Sequence, residues 1–157
     1  MTSDITSMQQ VLALLKAGID PKTCNLVLRK GEANAWGAEP LSSITAMDDF
    51  PTRSSEDQEA YVLNKGMAPA WTTCALLESI PDSSKLTVTL TRGGYDTSVH
   101  HDRVEDAYLS DAYFAIFEYE DDERDFFMER TFGGDSYIEA ATNMVVAYLT
   151  EIRGQIG

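Results

Sequence analysis

Apolar residues at helical spacing open the chain: Met8, Val11, Leu12 and Leu15 fall on one side of a 3.6-residue period across Ser7 to Ala17. Thr6 stands where an N-cap belongs, Gln9 three residues later completes a capping box, and Gly18 suits a left-handed stop. Asp20 and Pro21 then offer a cap and a first-turn proline. One helical turn over Lys22 to Asn25 is therefore expected ahead of a short strand, Leu26 to Lys30.

The periodicity fails from Gly31 to Gly66, where Gly, Pro, Ser, Asp and Glu accumulate around isolated anchors such as Trp36, Phe50 and Tyr61. So long an insertion either holds short elements, with Ser55 to Asn64 as the helical candidate, or is a mobile excursion. Order returns at Pro69. Thr72 caps a short buried helix that carries Cys74, Ala75, Leu76, Leu77 and Ile80 and stops at Pro81.

Alternation by two takes over next. Leu86, Val88 and Leu90 interleave with Thr87, Thr89 and Thr91, and Gly93-Gly94 predicts a tight turn into a returning strand, Tyr95 to His101. A second hairpin is expected from Ala112 to Tyr119 and Asp125 to Phe132, turning through Glu120 to Arg124, because aromatic and β-branched residues dominate both arms. Gly133-Gly134 leads into a long last helix capped by Ser136 and Glu139, with Ile138, Ala141, Val145, Tyr148, Leu149 and Ile152 on one face and Gly154 as its stop. The predicted class is α+β: an antiparallel sheet of about four to five strands in two consecutive hairpins, with the N-terminal, central and long C-terminal helices mainly on one face. Residues 1–157 are expected to form one domain, in which 31–66 is the poorly patterned insertion.

Composition adds ordinary globular proportions, 43% hydrophobic and 24% charged, and one unusual feature. Against 12 basic residues stand 26 acidic ones, a formal charge of -14. Such a balance disfavours direct contact with nucleic acid or anionic membranes, which require phosphate neutralisation, and favours plain solubility, a partner protein with a basic surface or a cation. The charge is concentrated: Asp102 to Glu129 holds 11 acidic residues against Arg103 and Arg124, a local balance of -9. Met1 to Gln10 lacks a basic leader and no apolar run reaches the ~18 residues of a membrane span, so a cytoplasmic setting is expected, in a bacterial cell or an infected host. Cys24 and Cys74 lie in apolar surroundings without metal or redox spacing and read as buried free thiols.

Candidate chemistry is sparse. His100-His101-Asp102 offers a base and a carboxylate, but neighbouring strand residues face opposite ways, so the two histidines do not readily share a metal. Glu118 to Asp125 lacks the central glycine of a calcium loop. Gly133-Gly134-Asp135-Ser136 sits at a helix start, where free amides bind anions, yet the capping box takes those donors and no phosphate-loop or dinucleotide motif is present. No catalytic residue, cofactor or metal ligand is assigned. The residues marked as an interaction face are Glu118, Glu120, Asp121 and Asp122, at the acidic turn of the second hairpin.

The opening "VLALLKAGIDPKTCNLV", the central "APAWTTCALLESIPD" and the closing "FGGDSYIEAATNMVVAYLTE" together resemble a group of small proteins of unknown function from phage and prophage-rich bacterial genomes. The likeness covers about two-thirds of the chain, excludes 31–66, and implies a genomic setting without an activity. The leading functional expectation is a non-catalytic phage or mobile-element accessory protein that binds another protein. Two alternatives stay open. One is a metal-dependent hydrolase or nuclease built on carboxylates and histidine; the other is an acidic DNA mimic, whose fourteen charges equal roughly 24 Å of duplex. The oligomeric state is left open, since a strand edge beside the hairpins can pair with a second copy or be covered by the insertion.

Overall fold

The computed structural model describes residues 5–40, 50–51, 54–81, 86–92, 95–100, 103–108, 113–121 and 126–153. Helix α1 spans Met8–Ala17 and buries Val11, Leu14 and Leu15. Its capping box is present but one residue later than the sequence suggests: the Gln10 amide donates to Ser7 Oγ at 3.2 Å, and the Ser7 amide donates to Gln10 Oε1 at 2.9 Å. Thr6 is taken by a distant partner. The Trp71 amide donates to Thr6 Oγ1 at 3.0 Å and the Thr6 amide donates to the Trp71 carbonyl at 2.9 Å, so a tertiary contact displaces the local cap. Gly18 ends the helix at φ 99°, and Asp20 caps the turn Pro21–Thr23.

Strand β1, Leu26–Lys30, is central to a three-stranded antiparallel sheet in the order β2-β1-β3. Strand β2 is Trp36–Pro40 and β3 is Met67–Ala70. The expected insertion thus supplies a strand of this sheet, and it also supplies helix α2, Ser55–Lys65, where a helix over Ser55 to Asn64 is the sequence candidate. Thr72 caps α3, Thr73–Glu78, as its spacing predicts.

The second sheet has the order β4-β7-β8, with β4 Leu86–Arg92, β7 Tyr113–Asp121 and β8 Phe126–Gly134. The β7–β8 hairpin follows its predicted arms. Strand β4, however, pairs with β7 rather than with the next strand. Strands β5, Tyr95–His100, and β6, Arg103–Tyr108, pair with each other. The physical reason is matching of apolar faces: Leu86, Val88 and Leu90 stand opposite Tyr119, Phe117 and Ala115, whereas Tyr95 to His100 alternates mostly polar residues. Gly93-Gly94, His101 and Asp102 lie outside the described residues. The last β4–β7 pair is Arg92 with Tyr113, and the first β5–β6 pair is Tyr95 with Tyr108.

The α+β class holds, with the strands divided among antiparallel sheets of three, three and two instead of one sheet of four to five. Helix α4, Tyr137–Ala147, packs on β7 and β8 and continues as a π-type turn, Tyr148–Ile152. Gly154, its predicted stop, is outside the described residues. One buried cluster joins α1, β1, α2, β3, α3, β7 and α4, with Trp71, Phe117 and Ile152 each fully buried. Among the described residues no helix is long and apolar enough to cross a membrane.

Candidate functional site

Alternation gives the β4-β7-β8 sheet two unlike faces. On the inner one Ala115, Phe117 and Tyr119 are buried, and the Phe117 ring lies 5.7 Å from that of Tyr148 on the helical side. The outer face carries Phe114, Ile116 and Glu118 at half-buried positions of β7, flanked by exposed Thr89 on one side and exposed Thr131 on the other. Phe114 stands opposite exposed Gly133, and a β-carbon at that glycine would lie 3.5 Å from the Phe114 ring.

Glu118 is half-buried near the middle of β7. It faces Thr87 on β4 and Glu129 on β8. The sequence reading missed Glu129, which completes a pair of like charges directly across two strands; its parity becomes visible only once the register of the hairpin is known. Glu120 pairs with Phe127 and Asp121 with Phe126, where β7 ends. Asp122 is outside the described residues. The hairpin therefore sets Glu118 directly across from Glu129.

Among the described residues, no paired position of this outer face is a lysine or arginine. The nearest cation in β8, Arg130, stands opposite Phe117 on the inner side, where its guanidinium is 5.2 Å from the Phe132 ring centroid and forms an ion pair with Glu151. It is spent on the helix side. Among the described residues no cation is paired with Glu118 or Glu129.

The remaining candidates carry less. His100 ends β5 opposite Arg103, and among the described residues no group of three or more His, Cys, Asp or Glu is placed to hold a metal ion. At the Gly133 to Ser136 turn the expected reciprocal cap is half formed: the Glu139 amide donates to Ser136 Oγ at 3.2 Å, but the Glu139 carboxylate accepts from the Asp135 amide at 3.1 Å instead of from Ser136. A cleft of about 500 Å³ between α1 and α2 is lined by Lys16, Lys22, Asp20, Ser54 and Gln58. Gln58 is buried, and its amide donates to the Pro51 carbonyl at 3.0 Å. The expectation of two buried thiols is corrected at Cys74, which is exposed on α3 because its position lies away from the face buried by Ala75 and Leu76. Cys24 is buried, and desolvation raises its thiol pKa. Compared with known proteins, the chain matches no family model, and no curated protein or solved structure shows significant similarity to it.

Proposed function

We propose that this chain is a non-catalytic accessory protein of a phage or other mobile element, working in the cytoplasm by binding another protein that presents a basic surface. The observation that carries the reading is the outer face of the β4-β7-β8 sheet. Glu118 and Glu129 oppose each other there, and among the described residues no lysine or arginine stands at a position paired with either. Like charges directly across a sheet cost stability in the free protein and reward a cationic partner that relieves them. The genomic setting follows from the three segments that resemble phage-associated proteins.

Affinity capture from host extract at low and at moderate salt tests the reading. A partner retained at low salt and weakened as salt rises is expected, because exposed charge pairs are screened within ~8 Å at physiological ionic strength. Charge reversal at Glu118, Glu120, Asp121 and Asp122 together should abolish retention. Recovery of no partner at low salt overturns the proposal, and displacement of the partner by duplex DNA moves it to DNA mimicry.

A further inference from the structure

The two faces of the β4-β7-β8 sheet differ in what covers them. Helix α4 lies on the inner face, against β7 and β8. The outer face has the same width: three strands span two spacings of about 4.8 Å, so the face is ~10 Å across, the diameter of one α-helix. Along its midline Phe114 and Ile116 form a short apolar strip. Thr89 and Thr131 border Ile116 on both sides as small, exposed residues that leave the strip accessible. Beyond it, Glu118 and Glu129 close one end with negative charge.

We infer that this outer face is the docking surface for an amphipathic helix of the partner whose apolar stripe is flanked by lysine or arginine. The inference rests on the protein-binding reading above and adds where the partner sits and what it presents. Charge complementarity selects the occupant: the apolar strip alone accepts any greasy helix, and the acidic end alone accepts any cation, whereas the two together, with no basic residue at the described paired positions, favour a helix carrying both. A second copy of this chain, at a formal charge of -14, is disfavoured by the same carboxylates.

The test uses the full chain and two synthetic 18-residue peptides of identical composition, leucine and lysine. In one the leucines fall on a single helical stripe; in the other they are scrambled. Backbone-amide titrations are expected to show the amphipathic peptide binding at least tenfold tighter, with the largest shifts at Thr89, Ile116, Glu118, Glu129 and Thr131. In Ile116→Thr the tenfold preference should disappear while the urea midpoint confirms folding. In Glu118→Gln with Glu129→Gln both peptides should weaken and the salt dependence flatten. Equal affinity for the two peptides, or shifts centred on the α1–α2 cleft or on β5 and β6, overturns the inference. Capture of a host protein by a chain that fails this peptide test leaves the protein-binding reading standing and removes the site; a chain that passes but captures nothing does the reverse.

Discussion

Replacing Glu129 by glutamine should make the free protein more stable, an unusual expectation for deleting a charge. Glu118 and Glu129 occupy directly opposite positions of β7 and β8. Facing residues in an antiparallel pair hold their β-carbons about 5 Å apart, and two unit charges at that distance repel by about 0.8 kcal/mol in water. Screening at 0.15 M salt roughly halves this. The half-buried position of Glu118 lowers the local dielectric and pushes the other way, giving a range of ~0.4–1 kcal/mol. For a chain of this size that is a rise in Tm of about 1–4 °C.

Urea unfolding of the wild type, Glu118→Gln, Glu129→Gln and the double variant, at low and high sodium chloride, checks the estimate. Each single change should stabilise at low salt, and the double variant should gain little beyond either single one, because the repulsion is relieved once. The coupling energy from this cycle separates the pair from a general reduction in net charge, which both single variants share. It should vanish at high salt. Destabilisation by either single change, or a gain indifferent to salt, would refute the paired arrangement of these carboxylates.

Thr6→Val keeps the shape of the side chain and leaves the Trp71 amide without its acceptor, so urea unfolding should report a loss of about 1–3 kcal/mol; an unchanged midpoint would mean that the contact is dispensable. In Gly134→Ala the new β-carbon would lie 2.8 Å from both the Ala140 nitrogen and the Glu139 β-carbon, and thermal unfolding should show a loss of about 1–3 kcal/mol as the start of α4 moves away. Ser136→Ala removes the acceptor for the Glu139 amide and should cost about 1 kcal/mol by the same assay. With a thiol reagent under native conditions, exposed Cys74 should react at once and buried Cys24 only on unfolding. Burial raises the Cys24 pKa, so its neutral form stabilises the fold fully below the ordinary thiol value of about 8.5, and that contribution is lost as pH rises through the folded value. Cys24→Ala should flatten this alkaline decline in the urea midpoint.

Local signals in the sequence were reliable where the structure uses them locally. Thr72 and Ser136 cap the helices their spacing predicts, Gly18 takes the left-handed stop, and β1 has its predicted bounds. Thr6 shows the limit: it has the right chemistry for a cap, but Trp71, 65 residues away, claims its hydroxyl. Strands β2 and β3 escaped for a related reason. Gly37 and Pro40 in one, and Pro69 in the other, oppose strand propensity, and both strands are held extended by pairing with β1. Pro69 is tolerated because β3 is an edge of its sheet, where a missing amide donor leaves no neighbour unpaired. The partner of β4 was equally invisible, since Gly93-Gly94 advertises a tight turn and nothing local announces β7.

The candidate face was legible as charge before it was legible as geometry. Composition locates the acidic stretch, but only register sets Glu118 directly across from Glu129 and in line with Phe114 and Ile116. That arrangement bears on why the acids are there. Solubility alone requires charges, not charges in opposition, and the exposed positions of Thr89 and Thr131, both opposite Ile116, would hold a carboxylate with no like-charged residue directly across from it. Placing two glutamates face to face instead costs the free chain stability that a single cation between them returns. A surface arranged so is poorer as a coat for the monomer and better as a receptor for a basic side chain.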